Sequence, residues 1–353
     1  MTEKIDIKSL TMEELEQELV KLGEKKFRAK QVYQWLHEKL AEDFDQMTSL
    51  PLGLRSSLGE HCFLTSLKPV QVQVSGIDGT RKYLFGLADG HVIESVWMQY
   101  RHGNSVCIST QVGCRMGCRF CASTLDGLVR NLTVSEMLDQ VYRIQALTGQ
   151  RVSHVVLMGS GEPLDNYDHV VKFLHLLTGS GGLNISQRNI TLSTCGIVPG
   201  MRRLAQEKLQ ITLALSLHAS RDQVRRELMP VARRFGLSEV LDACREYFAV
   251  TGRRVTFEYS LVAGVNDSPG EARALAGLLA GLHGHVNLIP VNPVREREFV
   301  QSSPAAVRAF QKILEEQGIP ATVRREMGRD IQGACGQLRR SYLEQGMGEN
   351  GMS

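Results

Sequence analysis

At 353 residues, with 42% hydrophobic and 22% charged residues and a formal net charge of +3, the chain is long enough for a large core and more than one domain. There is no low-complexity tract or internal repeat, and so mild a positive charge neither demands nor excludes nucleic acid. The opening Met-Thr-Glu-Lys-Ile-Asp has no apolar signal core and no apolar run is long enough to span a bilayer, so the expectation is a cytoplasmic protein with reduced thiols, whose eight cysteines are too few for a disulfide scaffold of this length.

Residues 1–66 read as a helical accessory unit. Thr11 and Glu14 have the spacing of a capping box, and Leu15, Leu19 and Leu22 follow on one helical face. A basic turn (Lys25, Lys26, Arg28, Lys30) leads into a second amphipathic stretch with Val32, Trp35, Leu36 and Leu40. Those lysines read first as a solvated face, and a module of this kind also suits RNA docking.

In residues 67–101 the period changes to two. Val70, Val72 and Val74 alternate with polar residues, as do Tyr83, Phe85 and Leu87, and Asp78-Gly79 and Asp89-Gly90 are turn pairs, so a β-meander is predicted. Alternation places Glu94 on the side of Val92 and Val96. Either that side faces solvent, or the carboxylate has a partner or a raised pKa.

Residues 102–340 alternate strand and helix, and 341–353 read as a flexible tail. Predicted strands lie at Val106–Ile108, Val155–Met158, Ile190–Leu192, Ile211–Leu217, Val255–Leu261 and Val286–Val291. Thr133 to Glu136 and Ser268 to Glu271 read as capping boxes, and Gly149, Gly252 and Gly318 fall where helices should stop. Six such units imply a parallel sheet with right-handed crossovers, too few for an eight-fold closed barrel. The predicted fold class is therefore α/β, an open partial (β/α)6 barrel with its chemistry at the carboxyl ends of the strands.

Directly after the first predicted barrel strand, Cys114, Cys118 and Cys121 form a C-x3-C-x2-C loop. Three thiolates hold three corners of a [4Fe–4S] cube and leave the fourth iron open to a ligand, whereas clusters that only carry electrons are usually held by four cysteines. Zinc is the competing reading; it would want a fourth ligand, for which His102 and Cys107 are close in sequence. Cys62 and Cys244 read as structural, Cys244 sharing a helical face with Leu241, Tyr247 and Phe248, and Cys195 at a strand end has no assignment.

The cysteine loop, Phe120 before its last thiol, and Gly-Ser-Gly-Glu-Pro at 159–163 after the second barrel strand together resemble the radical S-adenosylmethionine enzymes. Cys-Ile-Ser-Thr-Gln-Val-Gly-Cys (107–114), Asn131-Leu132-Thr133, Ser216-Leu217-His218, Asn292-Pro293 and Gly333-Ala334-Cys335-Gly336-Gln337-Leu338 narrow the resemblance, over nearly the whole chain, to the dual-specificity RNA methyltransferases that act at adenine C2. A relative acting at C8 shares most of these motifs, and Pro163 leans the reading to C2.

That resemblance implies a chemistry. Adenine C2 is too electron-poor to attack a sulfonium methyl, so a radical route is required, and the cofactor supplies it. By resemblance, Cys114, Cys118 and Cys121 bind the [4Fe–4S] cluster, and Gly161, Glu162, Ser193, Ser216, Leu217, His218 and Asn292 bind S-adenosylmethionine, two molecules per turnover. Cys335 carries a methyl group as S-methylcysteine, Glu94 accepts the C2 proton, and Cys107 releases the RNA adduct by forming a transient disulfide with Cys335. The implied partners are 23S rRNA, free or partly assembled, with its target in the peptidyl-transferase region; tRNA, at the purine 3′ of the anticodon; and an electron donor such as flavodoxin, the enzyme acting as a monomer. The target base must be unpaired or flipped. Arg324, Arg325 and Arg329 precede Cys335 and suit phosphate contacts; the pairs Arg202-Arg203, Arg225-Arg226 and Arg233-Arg234 are further candidates, though such pairs are more often plain surface.

Two rivals stand beside this reading. A zinc-stabilised RNA-binding protein would lack catalysis, and a radical enzyme that activates another protein would have no use for Cys107 or Cys335.

Overall fold

The computed structural model describes residues 4–292, 298–331 and 338–343. Its N-terminal unit has strand β1 (Ile5–Asp6), helices α1 (Met12–Lys21), α2 (Phe27–His37) and α3 (Leu52–His61), and strand β2 (Cys62–Phe63), which pairs with β1 in parallel. Helix α1 begins where the sequence predicts. Thr11 Oγ1 accepts the Glu14 N–H, and the Glu14 carboxylate accepts the Thr11 N–H, so two otherwise unpaired helix-end donors are satisfied. Leu15 and Leu19 on α1 and Val32 and Leu36 on α2 are buried.

Strands β3 (Lys68–Val74), β4 (Arg81–Gly86) and β5 (Val92–Tyr100) form the antiparallel meander. It is no separate sheet: β5 pairs antiparallel with β6 (Gly103–Cys107), the first barrel strand. Strands β7 (Gln111–Gly113) and β8 (Leu128–Asn131) then form a short antiparallel hairpin before helix α4 (Val134–Thr148). The barrel continues through β9 (Val152–Leu157), α5 (Tyr167–Thr178), β10 (Ile190–Thr194), α6 (Val198–Gln206) and β11 (Thr212–Ser216). Next come α7 (Asp222–Leu228), α8 (Leu237–Thr251), β12 (Val255–Leu261), α9 (Pro269–Leu279), β13 (Gly284–Pro290), α10 (Pro304–Glu316) and β14 (Ala321–Val323).

Among the described residues the main sheet has the order β14-β13-β12-β11-β10-β9-β6-β5-β4-β3, and every neighbouring pair from β6 to β14 is parallel. The open (β/α) architecture is therefore the predicted one, with β14 as an additional parallel strand that three residues were too short to announce. Helices cover the barrel strands, and β12 is buried along its whole length, the pattern of a parallel strand covered on both faces. Gly149 and Gly252 close α4 and α8 in the left-handed conformation.

One predicted cap differs. Ser268 Oγ accepts the Glu271 N–H, but the Glu271 carboxylate does not return the bond; it accepts from Ser220 Oγ and pairs with Arg221. A charged partner from the preceding crossover outcompetes a local backbone N–H.

The N-terminal unit is fastened to the barrel through one core. Lys8 and Asp139 of α4 are fully buried and 2.5 Å apart; Lys8 also donates to the Thr65 carbonyl, and the Asp139 carboxylate accepts the Leu67 N–H at 2.6 Å. Nearby, His37 Nδ1 lies 2.9 Å from the Tyr142 hydroxyl.

Candidate active site

The cysteine loop is carried by the β7–β8 hairpin, one short strand later than the sequence predicts. The Cys114 N–H donates to the Gly127 carbonyl at 2.8 Å and closes the loop's neck. Thr124 Oγ1 donates to the Cys118 and Cys121 carbonyls, each at 3.0 Å, and the Arg119 N–H donates to the Leu228 carbonyl at 2.9 Å, pinning the loop to the end of α7. All three cysteines line one cavity of about 340 Å³ at the carboxyl ends of the barrel strands. Burial pushes the Cys114 thiol up to about 12 and the Cys118 thiol well above its ordinary value, with neighbouring thiols adding to both shifts. These groups therefore stand as neutral thiols until a metal displaces their protons.

The segment 159–163 after β9 forms the cavity's next wall. A Cβ on Gly159 would lie 2.5 Å from the Ile108 carbonyl oxygen, and one on Gly161, whose φ is +107°, would lie 2.6 Å from Gln111 Cβ. Only glycine permits so close a turn against β7. Glu162 is buried behind it, with one carboxylate oxygen accepting the Leu164 N–H at 3.0 Å and the other the Cys195 N–H at 2.8 Å. Desolvation raises its pKa and these hydrogen bonds oppose the rise.

The following strands each end with a polar group at the cavity. Ser193 of β10 and Ser216 of β11 have hydroxyls 3.4 Å apart, and Asn292 follows β13. His218 lines the cavity with φ of +56°, a conformation costly for a residue with a Cβ. It is held there: Nδ1 accepts the Ser260 N–H at 2.9 Å, its carbonyl accepts from Asn266 Nδ2 at 2.8 Å, and Phe120 meets its ring edge-on with centroids 4.8 Å apart. Burial, then the charge of Arg225, lowers its pKa to about 3, so the imidazole is neutral and, with Nδ1 accepting, carries its hydrogen on Nε2.

Six of the seven predicted cofactor contacts, Gly161, Glu162, Ser193, Ser216, His218 and Asn292, line this cavity. Leu217 does not. Its side chain enters the core, and its N–H donates to the Glu258 carbonyl at 3.0 Å. Alternation along a strand end forces that split between neighbours. Of the possible fourth zinc ligands, His102 stacks on Tyr100 (5.1 Å between centroids) and Cys107 is buried with Val96 and Met98; neither is itself in the lining shared by the three thiols, although Tyr100, Val96 and Met98 are.

Glu94 does not face solvent. It is 3% exposed, lies 3.7 Å from Lys82 Nζ, and accepts the Arg339 N–H. Residues 338–343 are helical, and Leu338 packs against Leu84 and Val92, so the segment that follows Cys335 in sequence docks on the meander beside Glu94. Cys335, and with it the predicted Cys107–Cys335 pairing, lies outside the described residues.

The arginine pairs divide. Arg202 and Arg203 pair with Glu246 and Asp168 at the surface. Arg225 is fully buried and donates to the carbonyls of Cys195 (2.8 Å), Phe235 (3.1 Å) and Leu217 (3.2 Å), while Arg226 is exposed. Arg324 and Arg325 line the cavity, and Arg329 lies 3.9 Å from Glu326. The sequence did not single out Glu258 or Cys195 for the cavity, yet both line it. Glu258 accepts from Asn287 Nδ2 at 2.9 Å, and burial raises its pKa. An acid within an apolar strand and a thiol two positions after Ser193 were the available signals.

The donor set fits the cluster and cofactor that the loop implies. Three soft thiols border one cavity, the glycine cradle admits a ligand backbone, and the buried Ser123 hydroxyl beside the loop has no protein partner. Among the described residues no three His, Cys, Asp or Glu side chains gather as a ready site for a metal ion, and no helix is long and apolar enough to cross a membrane.

Comparison with known proteins bears on this site. The profile described as the ribosomal RNA large subunit methyltransferase N-terminal domain matches residues 5–64, and that of the radical SAM superfamily matches residues 108–276. A protein of Lachnospira eligens named "Probable dual-specificity RNA methyltransferase RlmN" is 60% identical over 339 residues, covering 96% of this chain and 97% of its own. A protein of the same name from Lachnoclostridium phytofermentans is 59% identical, with 98% of each chain covered. Among solved structures, a radical SAM methyltransferase from Sphaerobacter thermophilus superposes with a TM-score of 0.90 at 46% identity, over 94% of this chain and 98% of that one.

Proposed function

This chain belongs to the RlmN family of radical SAM dual-specificity RNA methyltransferases, and we propose that it methylates C2 of an unpaired adenine in 23S rRNA and in tRNA. The observation that carries the reading is the convergence of the three loop thiols, the 159–163 cradle and the polar ends of β10, β11 and β13 on one cavity. Cys114, Cys118 and Cys121 hold a [4Fe–4S] cluster; Gly161, Glu162, Ser193, Ser216, His218 and Asn292 hold S-adenosylmethionine. When bound, these groups supply a carbon-centred radical able to abstract hydrogen from a methyl group.

The chain's own residues do the rest. Glu162, its carboxylate already fixed by two backbone N–H groups, presents its remaining acceptor capacity to the cofactor's ammonium. Neutral His218 offers an Nε2–H donor at a position its strained backbone fixes. Cys335 would accept a methyl group by displacement at a sulfonium methyl carbon, the thioether leaving, and would present that S-methyl group for activation. Glu94 removes the C2 proton from the RNA adduct. Once the adduct has given up its unpaired electron to a one-electron acceptor, Cys107 would attack the Cys335 sulfur; the S–C bond breaks, the released carbon takes a proton to become the methyl group of the departing RNA, and a disulfide remains for external reduction. The docking of 338–343 beside Glu94 supports placing carrier and base together. Residues 1–66 form the accessory unit for RNA, and the chain acts in the cytoplasm as a monomer.

Incubation of the anaerobically reconstituted protein with reductant, S-adenosylmethionine and unmodified 23S rRNA fragment or tRNA, followed by nucleoside mass analysis, tests this. The expected product is 2-methyladenosine. Accumulation of 8-methyladenosine, or cofactor cleavage without RNA methylation, overturns it.

A further inference from the structure

A second concavity lies on the other side of the cysteine loop. It is lined by Arg119, Gln223, Arg226, Glu227, Pro230 and Arg233. The two linings interleave along the chain. Cys118 and Phe120 border the active-site cavity while Arg119 borders the outer cleft, and Met229 borders the cavity while Pro230 borders the cleft. The wall between them is thus only the loop itself and the end of α7. Leu228 and Met229 pack on Cys118, Pro230 stands against Gly117, and the Arg119 N–H to Leu228 carbonyl bond ties the two segments together.

The cleft is electropositive. Arg119, Arg226 and Arg233 are exposed, and unlike Arg202 and Arg203 none is ion-paired among the described residues; Glu227 is the one acid in the lining. Arg119 lies over the Phe299 ring, 5.7 Å from its centroid.

We propose that this cleft docks the acidic one-electron carrier protein that reduces the cluster. The inference rests on the cluster assignment above. In turnover the cavity is filled by cofactor and target base, so a protein donor needs an approach that does not pass through it. The cleft provides one: its lining residues Arg119 and Pro230 directly follow Cys118 and Met229, which pack together in one apolar cluster. Its charge complements an acidic carrier and steers encounter. One electron leaves the reduced carrier, which is oxidised by one electron, and the protein-bound cluster is reduced by one. RNA is the less favoured occupant because the base must reach the cavity on the opposite side of this wall.

The test is the double variant Arg226→Glu/Arg233→Glu, with Arg234→Glu as a control for charge outside the cleft; Arg234 is exposed over Phe235 and is no part of the lining. Flavodoxin hydroquinone is the probe. Three quantities are read on holoenzyme: carrier affinity by flavin fluorescence, tRNA affinity, and turnover driven by flavodoxin or by dithionite. The double variant is expected to weaken carrier binding by about tenfold or more and to lower flavodoxin-driven turnover at subsaturating carrier in step. Dithionite-driven turnover and tRNA affinity should stay within about twofold, and Arg234→Glu should resemble the parent. Unchanged carrier affinity, or a parallel fall in tRNA affinity, overturns the proposal. Loss of dithionite-driven turnover in the parent would instead refute the cluster reading beneath it.

Discussion

Two buried polar regions of this molecule contrast. Where the N-terminal unit meets α4, Lys8 and Asp139 are closed on themselves: the ammonium has Asp139 and the Thr65 carbonyl, and each carboxylate oxygen has a donor. In the barrel cavity, Glu258 accepts from Asn287, Ser193 and Ser216 share a long contact, and the Ser123 hydroxyl has no hydrogen-bond partner among the described residues. Burial alone does not separate structure from function here, since Glu258 and Asp139 are both inaccessible. What separates the Asp139 and Glu258 carboxylates is whether both oxygens are met by protein donors or the group borders a cavity that a ligand completes.

The contrast yields predictions of decreasing size. On the open side, Cys118→Ala should remove iron and acid-labile sulfide from the protein and depress S-adenosylmethionine cleavage by more than about a hundredfold, as loss of a ligand exceeds loss of its supporting contacts. Circular dichroism should be unchanged; a variant that keeps its full iron content would break the assignment. Glu94→Gln should slow RNA methylation by about 10²–10⁴-fold, the range of a general base, while the Cys335 peptide still gains its methyl group by mass spectrometry. Normal RNA turnover would take the base role from Glu94.

On the closed side the effect should fall on stability. Asp139→Asn leaves Lys8 buried without its countercharge and should cost about 3–5 kcal/mol in urea unfolding, with cofactor cleavage by the folded protein retained. A loss of activity larger than the loss of folded protein would erase the distinction between the regions.

His37, beside this cluster, sharpens it through pH. Burial holds its imidazole down to about 3 against an ordinary 6.5. The unfolded chain takes up a proton below 6.5 that the folded chain refuses, so the His37 contribution is complete above that value and is lost as pH falls through the window toward 3. The loss should reach about 2 kcal/mol near pH 5. His37→Gln should flatten the stability difference between pH 8 and pH 5 by about that amount, measured by denaturation midpoints at each pH.

The sequence alone determined the order of the longer elements and the residue types offered at the site, though not the short strands β7, β8 and β14. Period-two and period-3.6 patterns, helix-stop glycines and the Thr11 and Thr133 capping boxes depend on neighbours a few residues apart, so they survive in one dimension. The thiol spacing and the glycine cradle are equally local. Tertiary structure decided what depends on residues distant in the chain. It turned Glu94 inward under residues 338–343, took the Glu271 carboxylate from its cap, and sent Leu217 into the core beside His218. It also split the Arg225-Arg226 pair into a buried guanidinium gripping carbonyls and an exposed one in the cleft beside the cysteine loop. Two adjacent arginines are chemically identical until packing chooses which desolvated carbonyls one of them must satisfy, and that choice is made by segments the local pattern does not contain.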